Sequence, residues 1–126
     1  MTKLQAIHDF FSSFGLPAYE EHSVPAYRDA AQTVETAPPY ITYQLAVSSF
    51  PGEPVAITAD IWDLSESFTA LEQYADRIRR KVVPFCRIVC DDGYILVTMG
   101  SPFTSYLADG DVKRAYMNLE FHFITN

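Results

Sequence analysis

Tyr40-Ile41-Thr42-Tyr43-Gln44-Leu45-Ala46-Val47-Ser48 and Pro54-Val55-Ala56-Ile57-Thr58-Ala59-Asp60-Ile61-Trp62-Asp63 read as the two arms of a β-hairpin. A turn on Ser49-Phe50-Pro51-Gly52-Glu53 pairs Val47 with Val55, Leu45 with Ile57, Tyr43 with Ala59 and Ile41 with Ile61, so one face is wholly apolar. Thr42, Gln44, Thr58 and Asp60 fall on the other face.

Working outward, the residues from Phe68 to Val82 repeat at helical spacing. Phe68, Leu71, Tyr74, Ala75, Ile78 and Val82 form a buried stripe, Ser65, Ser67 and Thr69 offer alternative N-caps, and Thr69 with Glu72 fits a capping box. Pro84 stops the helix. Toward the N-terminus, Leu4, Ile7, Phe10, Phe11 and Phe14 predict a helix over residues 3–14, ended by Gly15 and Pro17. Ala18 to Val24 reads as a short strand.

Phe85 to Gly100 reads as a second hairpin. With Asp92-Gly93 as its type I′ dipeptide, Cys90 pairs with Ile95, Ile88 with Val97 and Cys86 with Met99. Ser101 to Gly110 reads as an aromatic-bearing loop. At the C-terminus, Ala115, Met117, Leu119, Phe121 and Phe123 alternate with Tyr116, Asn118, Glu120 and His122, the pattern of a long half-buried strand. The order of elements predicts one α+β domain over residues 1–126: a mainly antiparallel β-sheet with two α-helices packed on one face.

Composition sets the outer limits. Of 126 residues, 48% are hydrophobic and 20% charged, which predicts a folded core rather than a disordered chain. No apolar run approaches the roughly 20 residues of a bilayer span, and no signal-peptide pattern opens the chain, so the expectation is a protein that stays in the cytoplasm without membrane contact. A net charge of −7 argues against tight, sequence-independent binding of nucleic acid, which depends on cations neutralising phosphates. A surface that DNA slides past without sticking suits that balance.

Catalytic and metal signatures are thin. Cys86 and Cys90 on one strand are too far apart for a bridge and read as buried thiols. His8, His22 and His122 lack partners at metal-ligand spacing, and no nucleophile elbow, phosphate loop or dinucleotide fingerprint is present. Asp109-Gly110-Asp111 reads as a turn.

Three segments carry candidate contacts. Pro25 to Pro39, with Tyr27 and Arg28, reads either as a surface loop or as a segment that orders against a partner. Arg77, Arg79, Arg80 and Lys81 read either as a solvated helix end favoured by the macrodipole or as a salt-bridging edge between subunits. Phe103, Tyr106 and Leu107 form either a lid on the core or a subunit contact.

With these features the chain resembles the tail terminator, or tail completion, proteins of long-tailed bacteriophages. The resemblance is carried by the N-terminal helix, by Ala37-Pro38-Pro39-Tyr40-Ile41-Thr42-Tyr43, by Val55-Ala56-Ile57-Thr58-Ala59-Asp60-Ile61-Trp62, by Tyr74-Ala75-Asp76-Arg77-Ile78 and by the closing strand Ala115-Tyr116-Met117-Asn118-Leu119-Glu120-Phe121. It implies a non-enzymatic ring subunit, commonly hexameric, that caps the finished tail tube, meets the head-side connector and leaves a channel for DNA. It implies no cofactor. On that expectation Tyr27, Arg28, Arg77, Arg80, Lys81, Phe103 and Tyr106 are the candidate interface residues. The alternatives are another neck or minor tail subunit, or a small ligand-binding protein or enzyme.

Overall fold

The computed structural model describes residues 1–22, 38–47, 53–110 and 112–125. In chain order the elements are α1 (Lys3–Ser12), β1 (Ala18–Glu20), β2 (Tyr40–Tyr43), β3 (Pro54–Leu64), α2 (Thr69–Val82), β4 (Cys86–Cys90), β5 (Gly93–Asp109) and β6 (Val112–Thr125). The six strands form one sheet in the order β1-β2-β3-β6-β5-β4.

This corrects the expected α+β class with its mainly antiparallel sheet. Strand takes 51% of the described residues against 23% for helix, so the architecture is mostly β, a single curled, mixed sheet accompanied by two helices. The mixing arises because β1 runs parallel to β2, with Ala18 opposite Ile41 and Glu20 opposite Tyr43. Parallel neighbours need a return connection of about a dozen residues or more, and the sequence between Glu20 and Tyr40 is long enough to supply it. Local alternation carries no trace of that choice.

The register of the central strands follows from their alternation. Ile41 lies opposite Ile61 and Tyr43 opposite Ala59, and β3 then pairs along its whole length with β6, Ile57 facing Leu119 and Ile61 facing Ala115. All of these are buried. The first arm of the hairpin is shorter than expected: β2 ends at Tyr43, and Leu45 and Val47 are exposed. The Gln44 N–H still donates to the Thr58 carbonyl at 3.0 Å, so the ladder dies away rather than shifting. The turn expected at residues 49–53 lies largely outside the described residues.

The β4–β5 register differs from the expected one by two residues. Asp91-Asp92 is the turn, which places Cys90 opposite Gly93, Ile88 opposite Ile95 and Cys86 opposite Val97. A shift of two leaves the same side chains facing the core, so hydrophobic patterning is blind to it. Lys3 holds the turn through an ion pair with Asp92 at 2.9 Å.

The segment expected to be a loop, Ser101 to Gly110, instead continues β5 to Asp109 after a bulge. Met99 faces Leu119 and Thr104 faces Met117, so residues 100–103 stand opposite Asn118. The bulge re-aims the strand, and Tyr106 then pairs with Ala115. Gly110, at φ +61, makes the turn into β6.

Both helices bury against one core. α1 starts from a capping box in which Thr2 Oγ1 accepts from the Gln5 N–H and the Gln5 side chain accepts from the Thr2 N–H. Ala6, Ile7, Phe10 and Phe11 point inward, while Leu4, expected in that stripe, is exposed. Phe11 lies parallel to Tyr43 at 4.9 Å and to Phe121 at 6.1 Å. α2 buries Leu71, Ala75, Ile78 and Val82, yet its N-cap is Phe68 with no side-chain cap, so the expected Thr69–Glu72 capping box is not formed. Packing of Phe68 on the Tyr106 ring, at 5.5 Å, sets that helix end instead. Because the sheet curls, α1 touches strands at both ends of it, β1 and β4.

Candidate interaction site

The bulge in β5 brings Phe103, Thr104 and Tyr106 alongside α2. Between them lies a groove of about 520 Å³ whose helical wall carries Glu72, Asp76 and Arg79. Thr104 Oγ1 is buried in its wall and has no hydrogen-bond partner among the described residues. Burial, then the carboxylates of Glu72 and Asp76, push the Tyr106 hydroxyl above its usual pKa, so it stays a neutral donor at the rim. Of the candidate contact residues, Phe103 and Tyr106 therefore share one site.

The basic residues of α2 are distributed differently. Arg80 Nη2 meets Asp76 Oδ2 at 2.7 Å and Arg79 meets Asp76 Oδ1 at 2.8 Å, pairs at i,i+4 and i,i+3. The hydrogen bond from Arg79, before any other influence, holds the Asp76 carboxyl below the usual range. Arg77 lies over the Tyr74 ring at 4.9 Å. Lys81 donates to Ser13 Oγ at 3.0 Å and sits over the Phe14 and Phe10 rings at 5.2 and 5.7 Å, tying α2 to the end of α1. Tyr27 and Arg28 lie outside the described residues. Asp76 was the missed partner, and its spacing to Arg79 and Arg80 was a readable signal.

On the side of the sheet away from the helices, the register aligns a row across four strands. Leu107 faces Arg114, Arg114 faces Trp62 and Trp62 faces Tyr40. The Trp62 and Tyr40 rings lie near parallel at 6.5 Å, Tyr19 meets Tyr40 edge-on at 6.1 Å, and Arg114 stands 5.2 Å over the indole. Trp62 Nε1 donates to the buried Thr42 Oγ1 at 2.9 Å, which fixes the indole. Asp60, in the next row, sits 3.5 Å from Arg114 Nε, but its Oδ1 makes no hydrogen bond among the described residues. Burial raises its pKa, Arg114 opposes the rise and Glu21 adds to it.

Two smaller clusters complete the picture. Exposed His22 donates from its ring to Glu20 at 2.8 Å and lies near Glu21, a pairing that spacing alone did not reveal, and its pKa is raised chiefly by Glu20. Cys86 and Cys90 carry free thiols, and burial pushes the Cys90 thiol upward. Among the described residues no helix is long and apolar enough to cross a membrane. Compared with known proteins, the chain matches no family model, no curated protein and no solved structure.

Proposed function

We propose that this chain is a structural subunit of a long-tailed bacteriophage or prophage, forming a ring that caps the tail tube and joins it to the head-side connector. The observation that carries this reading is the far end of the β5–β6 hairpin. There Leu107 and Val112 are 43% and 41% exposed on the face away from the helices, with Leu64 beside them at 57%, an apolar patch of the kind that subunits cover on assembly, while Tyr106, 40% exposed, lies on the α2 side of the same strand. The same hairpin forms one wall of the groove on α2, so a single neighbour reaches both apolar and charged groups. The acidic balance of the chain suits a channel through which DNA passes without specific binding.

In this role the partners are copies of the chain, most simply six, the tail tube protein and the connector or neck protein. The site of action is the virion tail, assembled in the bacterial host, and the chemistry calls for no cofactor. A second reading, a small ligand-binding protein, is favoured by the Thr104 hydroxyl in the groove, which has no partner among the described residues.

Complementation tests the proposal. Particles lacking the chain should accumulate as heads apart from tails, with tails that are overlong or unable to join, and Tyr106→Asp should fail to restore them. Normal tails joined to heads in the absence of the chain would overturn the structural role. Neighbouring genes for a major tail protein and a connector would be its simplest independent support.

A further inference from the structure

β4 ends the described sheet. Its hairpin to β5 turns on Asp91 and Asp92 alone, with Cys90 opposite Gly93, and such a closing pair exchanges both of its backbone hydrogen bonds. Counting back by twos, Cys86, Ile88 and Cys90 direct their N–H and C=O groups to β5. Arg87 and Val89 direct theirs outward. Among the described residues no proline, lysine or bulge blunts this edge, Val89 is 64% exposed and Phe85, just before the strand, 54%. A groove of about 300 Å³ follows the strand, walled on its far side by Asp9 and Phe10 of α1 and by Lys81. Cys86 and Ile88 are half-buried there, packed on the core yet not covered by it.

We propose that β4 pairs with β4 of a second copy of this chain, antiparallel about a two-fold axis through Ile88. The strand is complementary to itself in that register and in no neighbouring one. With the axis at Ile88, Arg87 and the partner's Val89 exchange hydrogen bonds through their outward groups, and the same pair recurs across the axis. The two Ile88 side chains face each other and close the groove, while the partner's Asp91 lies diagonally from Arg87 on the same face. An axis at Arg87 would set two guanidiniums opposite each other. An axis at Val89 would need the Asp91 N–H, which already donates to the Met1 carbonyl at 2.7 Å.

The register has a covalent signature. Cys86 falls opposite the partner's Cys90 at a position without backbone hydrogen bonds, where Cα atoms come about 4.5 Å apart, inside the range that a disulfide spans. The proposal does not rest on the ring reading. A two-fold pair closes no ring, and variants of β4 and of Tyr106 separate the two contacts.

Light scattering and thiol cross-linking test it on the whole chain. The reduced protein should scatter at twice the 14.2 kDa chain mass. Val89→Lys, which sets an ammonium against the partner's Arg87, should return it to the single-chain mass with its melting profile at high dilution unchanged. Diamide, which takes up the two electrons and two protons released as two thiols join, should give a covalent dimer in the wild type. Cys86→Ser or Cys90→Ser alone should give none, and a mixture of the two variants should restore it. Single-chain mass for the reduced wild type at every concentration would overturn the pairing, and cross-linking of either serine variant alone would overturn the register.

Discussion

Asn118 donates its side-chain N–H to the Pro102 carbonyl at 2.9 Å, closing the β5 bulge from the strand opposite. Gly100 lies in the same contact. A Cβ there would come 2.9 Å from Asn118 Cβ and 3.1 Å from its carbonyl oxygen, closer than packed atoms allow. Gly100→Ala should therefore cost about 1–3 kcal/mol, the range for overpacking, and Asn118→Gly in the same chain should recover part of it. Equal denaturant midpoints for Gly100→Ala and wild type would show that the bulge gives way freely.

Ile57 and Ile61 are fully buried where β3 meets its neighbours, and Leu45 is exposed beyond the end of β2. Truncation of either isoleucine to alanine should cost about 2–5 kcal/mol, and Leu45→Ala should stay within about 0.5 kcal/mol of wild type. Urea unfolding curves distinguish the three. A large loss at Leu45 would mean that β2 continues past Tyr43.

Asp60 gives a pH-dependent signature. Its folded pKa lies above the ordinary value of 3.8, so the stability it contributes is present below that value and is lost as the pH rises through the folded pKa. At neutral pH its charge therefore works against the fold. Asp60→Asn should raise the melting temperature at pH 7, and the gain should shrink toward zero below pH 3.8. A lower melting temperature at pH 7 would show that attraction to Arg114 outweighs burial.

The start of α1 depends on Thr2, which satisfies the Gln5 N–H at 3.1 Å. Thr2→Ala should cost about 0.5–2 kcal/mol, the usual range for a lost cap, whereas Thr2→Ser should be near neutral. Thermal melts compare them, and equal losses for both would point away from the hydroxyl.

The central strands were legible because alternation carries both their existence and their register. Ile41, Ile61 and the series Ala115 to Phe123 can face one core only in the phase that the structure shows. The β4–β5 register was not legible, since Asp91-Asp92 and Asp92-Gly93 are both plausible turns and leave the same residues inward. Gly100-Ser101-Pro102 broke the alternation of β5, so a strand that resumes at Thr104 read as a loop. Among the candidate contacts, the aromatic content of Phe103 and Tyr106 was visible from the sequence. Their union with α2 required the bulge, and the cross-strand row through Trp62 and Arg114 required strands far apart in the chain to become neighbours.

That distance matters for α1 above all. Its Phe11 stacks on Phe121, and Lys81 reaches back to Ser13, so the helix finds its seat only after β6 has been made. During synthesis on the ribosome the phenylalanines of α1 must therefore wait in solvent or in the care of a chaperone. Such long-range closure makes folding slow relative to helical domains of this size, and it makes β6 the segment on which a helix synthesised long before it depends.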